Sequence, residues 1–183
     1  MRAAAPADVA RALALRTVLP ANWRGGLADV RAAGVFVSPL VDGFVFVTGA
    51  DVRALADVDA EVAPRLAHLS AQFGFAAWFR SDDAADAYGW AFARSGEVAR
   101  AYAFAGEHGP VAWLGEADAA ERALGCHVDD PRDRSDDDVK WWPDRRIVHA
   151  LAAAWARDPD ALPARGAVGG PGVVGRMGPA PSC

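Results

Sequence analysis

From Phe75 to Gly115 the chain reads FAAWFRSDDAADAYGWAFARSGEVARAYAFAGEHGPVAWLG, and this stretch predicts three or four consecutive β-strands. Side chains alternate with period two over residues 86–94 and again over residues 97–104, which is the pattern of a strand. The Ser95-Gly96 pair between these two runs suits a two-residue hairpin turn. Strands that follow one another without a crossover helix predict a mainly antiparallel sheet.

The predicted turn also indicates which side chains share a face of the sheet. A two-residue turn pairs Trp90 with Ala101 and Phe92 with Ala99, and directly paired residues lie on one face. Large side chains would then lie beside alanines on both faces, so both faces would need cover from helices or loops. A three-residue loop would reverse this conclusion.

The rest of the pattern completes an α+β interpretation. Asp42-Gly43 predicts a second hairpin, and Asp59 to Phe73 carries the apolar stripe of an amphipathic helix. We therefore predict one α+β domain over residues 1–162, with a mainly antiparallel sheet of about six strands covered by helices. Residues 163–183 are rich in Gly and Pro and are predicted to be a flexible tail. Other helices are predicted over residues 7–18, 116–124 and 145–157.

Composition and charge exclude several classes of protein. The net charge of −5 and a pI near 5.3 argue against a nucleic-acid partner, because surfaces that bind nucleic acid are usually basic. No stretch is apolar enough to predict a membrane span, and charged residues interrupt the N-terminal run, which argues against a signal peptide. Two cysteines are too few for a disulfide-stapled secreted scaffold, so the cytoplasm is the expected compartment.

The motifs that could indicate catalysis or a cofactor are all unspecific. Residues 170–175 match the letters GxGxxG, but the strand–turn–helix context of a dinucleotide site is not predicted around them. Cys126-His127 supplies too few ligands for zinc, and the aspartates of residues 129–138 fit no EF-hand loop. Glu107-His108 could serve general acid–base catalysis but is also ordinary turn chemistry. We assign no catalytic residue, no metal and no cofactor, and a non-enzymatic role is favoured.

An acidic loop that ends in two tryptophans is the first candidate binding surface. Trp is enriched at interaction hot spots, although both rings could instead fold onto the sheet as a lid. An acidic aromatic surface suits a basic protein partner, as for an immunity protein or an adaptor of a bacterial system. The predicted partner surface comprises Trp141, Trp142, Asp136, Asp137 and Asp138.

Two alternative functions remain open. A pocket on the sheet around Arg100 would make the protein a small-molecule binder or an enzyme, since a guanidinium among apolar side chains can pair with an anionic ligand. The same arginine could simply pair with an acid at the rim of the sheet. The predicted pocket lining is Trp78, Trp90, Arg100, Tyr102, Glu107 and Trp113. In the third hypothesis, residues 164–183 dock the protein into a larger assembly.

Several short elements in the middle and end of the chain carry a resemblance. They are Tyr88-x-Trp90, Gly96-x-x-x-Arg100-x-Tyr102, Gly106-Glu107 followed by Trp113, and Ala154-Trp155 followed by Asp158-Pro159. In these elements the chain resembles uncharacterised bacterial proteins from GC-rich genomes. The abundance of Ala, Gly, Asp and Arg against a single lysine agrees with such a genome. The resemblance implies a bacterial protein and transfers no site residue.

Overall fold

The computed structural model describes residues 5–126, 141–158, 161–162 and 170–178. This part of the chain contains two four-stranded sheets, and every strand pair in them is antiparallel. The α+β class is therefore confirmed. The strands do not form the expected sheet of about six, because they are divided between two separate sheets.

The described elements are short helices and strands that are mixed along the first half of the chain. The helices are α1 (Pro6–Ala12), α2 (Trp23–Asp29), α3 (Ala50–Arg53), a π-helical turn (Val58–Val62), α4 (Ala63–Phe73), a 3₁₀ turn (Gly106–His108), α5 (Ala119–Ala123) and α6 (Arg145–Trp155). The strands are β1 (Arg16–Ala21), β2 (Val35–Val37), β3 (Val47–Thr48), β4 (Phe75–Asp82), β5 (Ala87–Arg94), β6 (Glu97–Ala105), β7 (Pro110–Leu114) and β8 (Gly172–Arg176). None of these helices combines the length and the apolar character that crossing a membrane requires.

Sheet B contains β4-β5-β6-β7 in chain order, so each strand pairs with its neighbour in sequence. The predicted turn between β5 and β6 is confirmed. Ser95 and Gly96 have φ values of 49° and 95°, and positive φ at both central residues is the requirement of a type I′ turn. Arg94 pairs with Glu97 across this turn, as a two-residue connection demands.

A register shift close to the turn changes which side chains share a face. The shift lies just beyond Phe92, which pairs with Arg100, and Trp90 then pairs with Tyr102 instead of the expected Ala101. The predicted mixture of large residues and alanines on each face is therefore wrong. A bulge inserts one extra residue and moves all later side chains by one position, so large residues meet on one face and alanines on the other.

Both faces of sheet B are nevertheless covered, as the sequence predicts. The alanine face packs against α4 and the π-helical turn, with a buried cluster of Val58, Val62, Leu66, Leu69, Ala76, Trp78, Ala91, Ala93, Ala101, Ala103 and Ala112. The aromatic face packs against residues of α5, α6 and the segment before α6, with a buried cluster of Tyr88, Trp90, Tyr102, Phe104, Cys126, Val148 and Leu151. The sheet is thus the middle layer of three.

Sheet A has the order β1-β8-β2-β3, and its second strand comes from the segment predicted as a flexible tail. Within that segment, Gly172–Arg176 forms β8 and pairs with both β1 and β2. Its glycines serve close packing here. A Cβ atom on Gly172 would lie 2.3 Å from the carbonyl oxygen of Val37 and 2.8 Å from the ring of Phe36. Residues 163–169 and 179–183 of the predicted tail lie outside the described residues.

The N-terminal helix is shorter than predicted. The pattern predicts a helix over residues 7–18, but α1 ends at Ala12 and Arg16–Ala21 forms β1. This strand lies at the edge of sheet A, where Pro20 is tolerated because one side of the strand needs no ladder hydrogen bonds. Pairing with the distant β8 therefore outweighs the local helical pattern.

The second predicted hairpin is present with shorter strands. Asp42 and Gly43 have φ values of 48° and 82°, as a type I′ turn requires. The regular ladder between β2 and β3 ends at Val37 and Val47. Beyond it the Ser38 amide donates a 2.8 Å hydrogen bond to the carbonyl of Phe46, and the Ser38 hydroxyl accepts a 2.9 Å hydrogen bond from the Phe46 amide. Phe44 forms an isolated bridge with Val41 next to the turn, and the residues from Phe44 to Phe46 border the cavity described below.

Candidate functional site

Arg100 forms a completely buried ion pair with Glu121 of α5. Its Nε atom lies 2.9 and 3.0 Å from the two carboxylate oxygens, and neither side chain is exposed to solvent. Nη2 lies 2.9 Å from Oε1, at an angle too oblique for a hydrogen bond. Nη1 donates to the carbonyl of Gly115 at 2.8 Å, and the Trp90 indole donates to Glu121 at 2.8 Å. The guanidinium charge is therefore already neutralised inside the protein.

Three aromatic residues of the predicted pocket do surround this ion pair. Trp90 and Tyr102 stack with their ring centroids 4.6 Å apart, and the Arg100 guanidinium lies 4.1 Å from the ring centroid of Trp113. A cation held over an aromatic face is stabilised by the ring quadrupole. These contacts fill the space that a ligand would need.

The other two predicted lining residues lie elsewhere. Trp78 packs on the alanine face of sheet B, opposite to Arg100. Glu107 is exposed in the 3₁₀ turn after β6. The six residues predicted as one lining therefore do not share a site. Beside Arg100, Glu121, which the sequence interpretation missed, occupies the place of an anionic ligand. The Asp118-x-x-Glu121 spacing is the signal that could have found it, since it forms the capping box of α5.

The two tryptophans before α6 have different environments. Trp141 is half-buried, and its ring lies 6.4 Å from the centroids of both Trp90 and Tyr102. Trp142 is 55% exposed and contacts Phe104 edge-on, with 5.0 Å between centroids. The lid interpretation thus fits Trp141, and Trp142 remains available for a partner. The predicted surface residues Asp136, Asp137 and Asp138 lie outside the described residues.

Cys126 has the environment of a structural cysteine. Burial, together with the nearby Glu121 carboxylate, raises the pKa of its thiol to about 12. A thiol that stays protonated at neutral pH is a poor nucleophile and a poor metal ligand. Across the described residues, no group of three His, Cys, Asp or Glu side chains could hold a metal ion.

A cavity of about 340 Å³ lies between the two sheets, and the sequence interpretation missed it. Its lining includes every residue from Phe44 to Val47 and every residue from Phe75 to Phe79. Successive side chains of an extended segment point to opposite faces, so a cavity beside one face would contact only every second residue. A cavity that contacts every residue of the segment must lie along its edge. The cavity therefore lies between the free edge of β4 and the segment that leads into β3, the edge strand of sheet A.

Two helices complete the walls of this cavity. α4 and α6 pack on opposite faces of sheet B, and both contribute to the lining. These two helices and the π-helical turn supply apolar side chains to the walls. They are Val62, Leu66, Leu69, Val148, Ala152 and Ala156, which caps the C-terminus of α6. Trp78, which the sequence assigned to a different pocket, also lines the cavity. The arrangement is a preformed apolar space whose floor is a strand edge.

Two arginines lie in the lining and differ in their partners. Arg157 donates to the carbonyl of Asp42 at 2.8 Å, and its guanidinium lies 5.0 Å from the Phe44 ring centroid. Its Nε is also 3.8 Å from the Asp42 carboxylate, which balances its charge. Arg65 is half-buried and donates to the carbonyl of Glu61 at 2.6 Å. Within the described part of the chain, no carboxylate lies within ion-pair distance of Arg65.

Comparison of the chain with models of known protein families, with curated proteins and with solved structures finds no match. The residues of the cavity must then indicate what it can bind. Apolar walls favour apolar groups, because burial removes those groups from water. A guanidinium without an acidic partner favours an anion.

Proposed function

We propose that this protein binds a small apolar molecule in the cavity between its two sheets. The cavity of about 340 Å³ carries this proposal. Ligand pockets in proteins span about 300–1,000 Å³ and have mainly apolar walls with a few polar groups. The apolar walls favour a ligand, because a bound apolar molecule displaces the water that would otherwise contact them.

The shape of the site predicts how affinity depends on the ligand. Each methylene group that leaves water contributes about 0.8 kcal/mol, so affinity should rise with the length of an aliphatic ligand until the cavity is full. α4, α6 and β4 form the walls as regular elements, so the site exists before binding. Binding should therefore raise the melting temperature without a change in secondary structure.

A neutral fluorescent probe, N-phenyl-1-naphthylamine, tests the proposal directly. Wild-type protein should enhance its fluorescence with saturation at one probe per chain. Ala77→Leu adds bulk to the cavity from β4 and should weaken probe binding by about tenfold, since the probe loses buried apolar contact. Ala123→Leu makes the same change on an exposed position of α5 and should bind like the wild type.

The two variants also distinguish a site from a packing defect. If the wild type gives no saturable signal, the proposal is wrong. It is equally wrong if Ala77→Leu raises the melting temperature while probe binding stays unchanged, because the probe would then bind elsewhere on the protein.

A second candidate function is recognition of another protein through Trp142. Its 55% exposure is unusual for such a large apolar side chain, and exposed Trp residues often anchor interfaces. The acidic run that includes Asp136, Asp137 and Asp138 ends four positions before it in sequence and would favour a basic partner. These features suit an immunity-like or adaptor role.

Co-purification of a tagged full-length chain from its native bacterium tests this second function. Trp142→Ala should lose a stoichiometric partner, while Leu19→Ala should keep it. Leu19 is the matched control, since it is 58% exposed but lies on β1 of sheet A. A partner that remains bound to Trp142→Ala, or a wild type without any stoichiometric partner, would contradict the proposal.

The hypothesis that residues 164–183 dock the protein into an assembly needs a different experiment. Gly172–Arg176 forms β8 between β1 and β2, so a deletion of the whole segment would remove a strand from sheet A. Loss of assembly in that deletion would follow from unfolding alone. A deletion that begins after Met177 leaves β8 intact and is the better test.

A further inference from the structure

We infer that the molecule in the cavity is a medium-chain aliphatic carboxylate whose head group binds Arg65. This inference rests on the proposed function of the cavity and adds the chemical class of its ligand. Arg65 is a half-buried member of the lining that carries a full positive charge. A partly desolvated cation attracts a counter-charge more strongly than one in water.

The hydrogen bond of Arg65 leaves one edge of its guanidinium open. Nη1 is engaged by the carbonyl of Glu61 at 2.6 Å, which orients the group beside the first turn of α4. Within the described part of the chain, Nε and Nη2 have no hydrogen-bond partner. These two donors lie in one plane at the spacing of carboxylate oxygens, so a carboxylate can accept from both.

The charge in the lining favours a carboxylate over a phosphate. Arg157 is paired with Asp42, so Arg65 is the lining arginine whose charge is not balanced within the described residues. One guanidinium neutralises one carboxylate. A phosphate monoester carries about −1.5 to −2 charges at pH 7, and part of that charge would remain unpaired beside apolar walls.

The volume of the cavity sets the length of the tail. A cavity of about 340 Å³ lies at the small end of the range of about 300–1,000 Å³ for ligand pockets, which favours a medium-chain ligand over a long-chain one. Decanoate, whose ten carbons include the carboxylate carbon, is a ligand of this class. Its tail would contact apolar side chains such as Leu66 and Val148 while its head stays at Arg65.

Isothermal titration calorimetry with the full chain tests the assignment, using decanoate, decan-1-ol and acetate below their micellar or solubility limits. Decanoate should bind at one per chain. Decan-1-ol, which has the same tail without the charge, should bind about tenfold more weakly, and acetate should not bind detectably. Arg65→Gln should weaken decanoate about tenfold and leave decan-1-ol unchanged. Arg80→Gln removes a charge from β4 outside the lining and should leave both affinities unchanged.

Each contrary outcome identifies what has failed. Equal binding of decanoate and decan-1-ol, or unchanged decanoate affinity in Arg65→Gln, overturns the head-group assignment while the cavity remains a site. Tighter binding of decyl phosphate than of decanoate overturns the choice of carboxylate. If decanoate does not bind although N-phenyl-1-naphthylamine does, the aliphatic class is wrong. If the neutral probe also fails to bind, the proposed function itself is wrong.

Discussion

The carboxylate of Asp51 accepts a 3.1 Å hydrogen bond from the backbone amide of Met177, the residue directly after β8. The same carboxylate accepts a 2.7 Å hydrogen bond from the amide of Gly34, the residue directly before β2. One side chain of α3 therefore joins two neighbouring strands of sheet A. Burial alone would raise the pKa of Asp51, but these two amides, helped by nearby Arg176, lower it below its usual value.

This geometry predicts an acid-dependent contribution to stability. A carboxyl group whose pKa is lowered by folding stabilises the protein above its unfolded-state pKa of about 3.8, and the contribution is lost as the pH falls through the folded-state value. Asp51→Asn should reduce the free energy of unfolding by about 1 kcal/mol at pH 7 and by less below pH 4. Urea denaturation from pH 3 to pH 7 measures both effects. Asp29→Asn, at an exposed position of α2, is the control, and an identical pH profile in the two variants would contradict the prediction.

The buried ion pair predicts a strongly non-additive pair of substitutions. Arg100→Met leaves the Glu121 carboxylate buried without its counter-charge, which should cost about 3–5 kcal/mol of unfolding free energy. The double variant Arg100→Met/Glu121→Leu removes both charges and should recover a large part of that loss. Recovery will be partial, because the Trp90 indole then lacks its acceptor.

A double-mutant cycle by chemical denaturation measures this coupling between Arg100 and Glu121. The prediction is wrong if the cost of the double variant equals the sum of the two single costs. It is also wrong if Arg100→Met alone is nearly neutral, since that result would place the guanidinium in contact with water.

Cys126 should resist thiol reagents while the protein is folded. Burial raises the pKa of its thiol to about 12, so almost no thiolate exists at pH 8. In a Cys183→Ser background, 5,5′-dithiobis(2-nitrobenzoate) should react only in urea, at the rate of unfolding. Because the folded state holds this proton more tightly, stability should fall as the pH rises above the ordinary thiol value of 9.0. Rapid modification without urea would contradict the prediction, because it would show that the packing around Cys126 opens in the folded protein.

Local chemistry explains what the sequence predicted correctly. The turns at Ser95-Gly96 and Asp42-Gly43 depend on residues that accept positive φ, and that preference is readable from two adjacent letters. The amphipathic stripe over residues 59–73 likewise predicted a helix on its own, and a helical segment with a π-helical first turn is present there. The bulge beside Phe92 carries no such local signal, so the register and the composition of each face were mispredicted.

The division into two sheets depends on contacts between distant segments. A glycine-rich segment predicts flexibility when its partners in the fold are unknown. In the structure Gly172 has the opposite role, because a residue without a side chain is needed where Phe36 and Val37 pack closely against β8. The candidate site was missed for the same reason. The runs 44–47 and 75–79 are apolar on both faces, which predicts burial, but their letters do not reveal that the edges of these two segments face each other across a cavity.

The position of β8 between β1 and β2 has a consequence for biosynthesis. The strands of sheet B are contiguous in the chain, so that sheet can assemble as soon as residue 114 has left the ribosome. β1 and β2 emerge earlier, but the strand that joins them is translated only at residues 172–176. β2 can pair with β3 at once, but β1, the first strand to be made, reaches its native pairing only when β8 emerges. Until then its unpaired edges and the open edge of β2 are the part of the nascent protein most in need of a chaperone.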